Sequence, residues 1–403
     1  MLKRNYSYIR GIYFFVCTLC SGLMLMEVPK MALYAPIVVF VLFVTDRIIT
    51  KEEFNFDIAT PLLFLFIFVY VYFTYSDSVS LYYQSYIHIH AFFYYFIGIN
   101  FLKGYPAEEK KQIIETSLVM ISVMYIIYVI LTLINYNLFT AADLEPRHYY
   151  SFWYTFVEKA ATAFSVSVSL ALSYGCYAVF FSSLPKKIIG IFFVVSAVAI
   201  NIYTGTRALL YLAPFLLLIS MVCWLVLKKK KYLWAGVSVA LFTAIVVIAG
   251  VLINKNYDVI IAALEGKPIQ RLFTISIFSS SRFISAKNMI ENFSFTYMGG
   301  LDYTASGGQV HNVLLNYYDA GGIVSLVLFA LFTLLGTINF VRLILNKKIS
   351  VDIKVLFSLI VGMIAVQFTI EPLVLPVPSF YILSMFYLGA MHSFNADAKK
   401  QIN

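Results

Sequence analysis

Of the 403 residues, 61% are hydrophobic and only 12% are charged, and the formal net charge is +9. So little polar surface cannot clothe a water-soluble globule, which excludes a soluble enzyme or binding domain and leaves an all-α polytopic membrane protein. The cationic excess does not point to nucleic acid, because the Lys and Arg residues gather in short stretches between apolar runs.

Lys3, Arg4 and Arg10 precede the first apolar run and no small-residue cleavage site follows it, so a retained first helix is expected rather than a removed signal peptide. Apolar runs long enough to cross hydrocarbon recur twelve times, over 11–27, 31–45, 58–75, 81–102, 113–135, 160–182, 188–204, 208–227, 233–253, 322–345, 355–371 and 379–392. Cys17, Cys20, Cys176 and Cys223 all fall inside these runs; the CxxC spacing of the first two lacks polar ligands around it and reads as packing.

With the N-terminus inside, 20 of the 29 basic residues lie in short inner connections or tails, the run Lys228, Lys229, Lys230 and Lys231 among them. That asymmetry predicts both termini in the cytoplasm and one integral membrane domain over 1–403. The two largest connections, 136–159 and 254–321, then face outward, so working residues are sought there. No spanning run shows the broken helix or internal repeat of a secondary carrier.

Arg207 follows Thr204-Gly205-Thr206 in a tight turn between two apolar runs. A charge at a helix end in lipid either snorkels to the interface or serves a site. Arg282 follows Ser279-Ser280-Ser281 at the start of a helical pattern, where free backbone N–H groups favour an anion and a lone cation sits badly. A bound phosphate or diphosphate rationalises it; an ordinary surface arginine is the plain alternative.

His311 lies between Gly307-Gly308 and an apolar stretch, with backbone freedom before it and helical order after it, as a positioned acid or base requires. His88 and His90, inside the fourth run, read as packing or interhelical hydrogen bonds. Arg147, His148 and Tyr150 in the first outer loop line a substrate path or belong to an aromatic belt. Glu371, at the outer end of a run, is a secondary binding candidate or a helix-terminating glutamate. No metal-binding spacing and no cofactor motif occurs.

Thr204-Gly205-Thr206-Arg207, then Ser281-Arg282, then His311-Asn312 followed by Asp319-Ala320-Gly321-Gly322, resembles in order the O-antigen ligase and polymerase superfamily of bacterial surface polysaccharide assembly. The resemblance implies a GT-C-like fold of about 12 transmembrane helices with one large extracytoplasmic loop containing short helices. It implies glycosyl transfer from a polyprenyl-diphosphate-linked oligosaccharide at the outer face of the cytoplasmic membrane, without metal or nucleotide sugar. Arg207 and Arg282 would hold the diphosphate, His311 would activate the acceptor hydroxyl, and Asn312 would contact substrate. Flippase and chain-length regulator proteins are the partners it implies. Polymerase, ligase transfer to a lipid or protein acceptor, and a flippase or secondary transporter all stay open.

Overall fold

A computed structural model describes residues 2–74, 81–103, 105–138, 148–265, 270, 281–291, 312–371, 373 and 377–400. In chain order the helices are α1 (Leu2–Leu25), α2 (Met31–Thr50), α3 (Ala59–Thr74), α4 (Leu81–Phe101), α5 (Ala107–Leu138), α6 (Ala161–Phe181), α7 (Leu184–Thr204), α8 (Ala208–Cys223) and α9 (Tyr232–Lys255). After them come α10 (Tyr257–Ala263), α11 (Ser281–Glu291), α12 (Val313–Leu345), α13 (Val351–Ile370) and α14 (Pro378–Lys400). The twelve apolar runs fall on α1 to α9 and α12 to α14, because a backbone in lipid must satisfy its own polar groups and a helix does so within one segment. Among the described residues, eight helices are long and apolar enough to cross a membrane, making the chain a multi-pass helical membrane protein.

The chain divides into two compact units. In the first, formed by residues 1–124, 280–349 and 364–403, α4 and α14 approach most closely. Glycines make this approach feasible: a Cβ on Gly98 would meet the backbone of Phe386 and Ala390, and one on Gly389 would meet that of Tyr95 and Ile99. Beside this seam lies a buried aromatic cluster in which Phe66 and Tyr70 of α3 pack edge-on against Tyr317 of α12. His88 Nε2 lies 3.1 Å from the Tyr317 hydroxyl, which donates to Tyr381 at 2.7 Å. His88 is therefore the interhelical hydrogen-bonding residue its position within a span suggests.

Two basic residues near helix ends, Arg47 of α2 and Lys110 of α5, are buried. The Arg47 guanidinium is buried, pairing with Glu52 and donating to the Asn100 carbonyl, and the buried Lys110 ammonium donates to the Ser393 carbonyl at 3.0 Å and hydroxyl at 2.8 Å. Burial of either cation is tolerable because these acceptors replace its hydration. Asp57 works similarly at the start of α3, accepting from the Thr60 amide at 2.8 Å and the Tyr95 hydroxyl at 2.9 Å, with His392 Nδ1 at 3.3 Å.

The second unit, residues 125–279 and 350–363, centres on α6, whose side chains are buried along nearly its whole length. The 136–159 connection contains an element that the sequence reading did not anticipate: an antiparallel hairpin of β1 (His148–Ser151) and β2 (Tyr154–Ala160). Tyr149 packs edge-on against Phe164 of α6, and Ser151 Oγ lies 3.1 Å from the Tyr128 hydroxyl. Aromatic and β-branched residues at Tyr149, Tyr150, Tyr154, Thr155, Phe156 and Val157 suit a pleated surface, a local preference masked by the surrounding apolar helices.

The largest departure concerns α12. The expected span starts at 322, whereas the helix starts at Val313 and is interrupted at Gly322, which adopts φ 74° and ψ −174°. The break lies at the first residue of the expected 322–345 run, which continues as helix beyond it. A half-helix from 313 to 321 precedes the longer segment, and Ser325 Oγ donates to the Gly321 carbonyl at 2.9 Å beside the break. Only glycine adopts this backbone region readily, so Gly322→Ala should destabilise the protein by roughly 1–3 kcal/mol, seen as a lower thermal midpoint in detergent. An unchanged midpoint would mean that the break is not strained.

Candidate functional site

The half-helix is built from its cap outward. Asn312, in extended backbone, accepts the Leu315 amide on its side-chain oxygen at 3.1 Å, an N-cap, and its amide nitrogen donates to the Thr369 carbonyl of α13 at 3.3 Å. Both ends of this carboxamide thus fasten the half-helix, giving Asn312 a positioning role. Tyr317 ties the next turn to His88 and Tyr381, and Tyr318 packs with Met289 of α11. Three separate attachments orient nine residues of backbone.

Asn312, Asn316 and Asp319 recur at i, i+4 and i+7, one stripe of the half-helix, with Tyr317 on the opposite side. Asp319 is 4% exposed, and its Oδ1 has no hydrogen-bond partner among the described residues. Sequence reasoning named Asp319 only within the Asp319-Ala320-Gly321-Gly322 run of the family resemblance and gave it no role of its own. Its available signal was an acid in the middle of an apolar segment, two turns after a capping asparagine.

Glu371, just past α13, is buried, and its amide closes the helix by donating to the Gln367 carbonyl at 3.0 Å. Asn312 and Glu371 thus belong to the same unit, with the Thr369 carbonyl contacting Asn312 two residues before Glu371. Helix α11 begins at Ser281, which puts Arg282 in its first turn, as its serines predict. His311, immediately before the cap, and Arg147 lie outside the described residues.

The other candidates belong to the second unit. Gly205 ends α7 with φ 63° while its amide donates to the Ile202 carbonyl at 3.3 Å and that of Thr206 donates to Asn201 at 3.0 Å, a Schellman-like closure. The Thr206 hydroxyl donates to the Asn201 side-chain oxygen, and Thr204 Oγ1 donates to the Ile200 carbonyl at 2.8 Å. This polar knot holds Arg207, half-buried, at the N-cap position of α8, where the helix dipole already favours an anion. On β1, His148 and Tyr150 are half-buried on the face opposite the buried Tyr149.

Arg207 thus precedes the first turn of α8 in the second unit, while in the first unit Arg282 lies in the first turn of α11 and a capped half-helix follows His311 in sequence. No protein-family model matches the chain, and no curated protein matches it in sequence.

Proposed function

We propose that the chain is a polysaccharide polymerase of the bacterial cytoplasmic membrane, joining polyprenyl-diphosphate-linked oligosaccharide repeat units at the outer face through a GT-C-like bundle of about twelve spans, with both termini cytoplasmic. One observation carries this reading: the helix after His311-Asn312 begins at Val313, so a titratable side chain directly precedes the capped start of a rigidly attached half-helix. Such a start combines backbone donors with a fixed direction, as positioning a proton acceptor requires. The ordered motifs of the sequence and the multi-pass helical architecture support the same reading.

In the proposed reaction an acceptor sugar hydroxyl attacks the anomeric carbon of the donor as the bond from that carbon to the diphosphate oxygen breaks. His311 takes the hydroxyl proton, and polyprenyl diphosphate departs with the electron pair. The guanidinium groups of Arg207 and Arg282 stabilise the charge developing on the leaving group, the role a divalent cation plays elsewhere. A single displacement inverts the anomeric centre.

A carrier or flippase is the second reading, favoured by the Gly322 break and the buried carboxylate of Asp319 in one span. Purified protein supplied with polyprenyl-diphosphate oligosaccharide separates the readings. A ladder of longer lipid-linked products is expected. One product on a different acceptor would mean a ligase, and transport into vesicles without turnover would mean a carrier.

A further inference from the structure

A carboxylate buried to 4% exposure, with one oxygen lacking a donor among the described residues, is strongly unfavourable unless something else supplies that donor. Asp319 occurs where such a group would be easiest to omit, in an apolar helix whose neighbouring turn is already held by Tyr317 and Tyr318. It plays no part in the cap, which Asn312 completes alone, and the break at Gly322 follows three residues later. Asn316, one turn before it on the same stripe, is half-buried and adds a carboxamide that both donates and accepts.

We propose that Asp319 and Asn316 form a saccharide subsite, with the carboxylate accepting hydrogen bonds from a vicinal pair of ring hydroxyls and the carboxamide bonding a neighbouring substituent. Hydroxyl donors match an acceptor-only carboxylate without adding a charge to an apolar setting. A metal ion fits less well, since among the described residues no three His, Cys, Asp or Glu side chains gather as ligands. The subsite deepens the polymerase reading, on which it rests only for the origin of the sugar.

The test compares full-length wild type with Asp319→Asn, which keeps shape and removes charge, by thermal midpoint and by affinity for two probes. One probe is a polyprenyl-diphosphate oligosaccharide and the other is polyprenyl diphosphate without sugar. The variant should melt no lower than wild type, because it removes a buried charge whose Oδ1 has no hydrogen-bond partner among the described residues. Its affinity for the glycan probe should fall about tenfold or more, as for a lost hydrogen bond to a substrate hydroxyl, with the sugar-free probe unaffected.

A lower midpoint, an unchanged glycan affinity, or an equal loss for both probes would overturn the subsite. Failure of the polymerase reading looks different: wild type makes no ladder, yet the sugar-dependent loss of affinity persists.

Discussion

Alanine at Arg207, Arg282 or His311 is expected to stop chain growth while leaving the protein in the membrane. Removing one preorganised donor from a developing oxyanion costs about 10²–10³ in rate, and removing a general base costs about 10²–10⁴. Accumulation should be untouched at Arg207, because Asn201, Thr204 and Thr206 close the turn among themselves. Lysine at the same position should restore only part of the activity, since an ammonium cannot supply the bidentate fork of a guanidinium. The measurement is ladder formation by purified variants at matched protein levels. Full activity in His311→Ala would remove the histidine as the base, and full activity in both arginine variants would remove the diphosphate clamp.

Valine at Gly98 or Gly389 should produce the largest loss of stability. Overpacking a filled interior costs typically about 1–3 kcal/mol when side chains can shift, but here the obstacles are main-chain atoms of the facing helix, so the effect should reach or pass the upper end. A Cβ at Gly98 would come within 2.8 Å of the Ala390 amide nitrogen, and one at Gly389 within 3.1 Å of that of Ile99. Neither helix can yield without opening the interface between α4 and α14. Gly236 of α9 is the control, since a Cβ there meets nothing within 4 Å, and Gly236→Val should accumulate normally. Comparable loss at all three sites, measured as folded protein recovered from membranes, would mean that helix propensity rather than close approach governs them.

What a single sequence conveyed here depends on the range of the interaction. The apolar runs marked where helices occur, because hydrocarbon leaves the backbone no other way to satisfy its polar groups over such lengths. Serines before Arg282 marked the start of α11, and the Thr204-Gly205-Thr206 turn marked the junction of α7 and α8, since capping and left-handed glycine are local effects. The β1–β2 hairpin escaped notice because its aromatic strands resemble the interface-anchoring aromatics expected in any outer loop. The burial of Arg47 and Lys110 was not legible, because it depends on Asn100 and Ser393, distant in sequence.

The α12 segment divides the two kinds of information most clearly. Composition and periodicity by themselves determined that this is a helical membrane protein, and motif order nominated Arg207, Arg282 and His311 as candidates for its chemistry. Tertiary structure alone decided that the helix after His311-Asn312 starts at Val313 and breaks at Gly322, and that Asp319 is buried just before the break. Hydropathy averages over many residues and cannot register one glycine's dihedral angles. Nor can it tell a carboxylate facing water from one enclosed by helices brought together from remote parts of the chain.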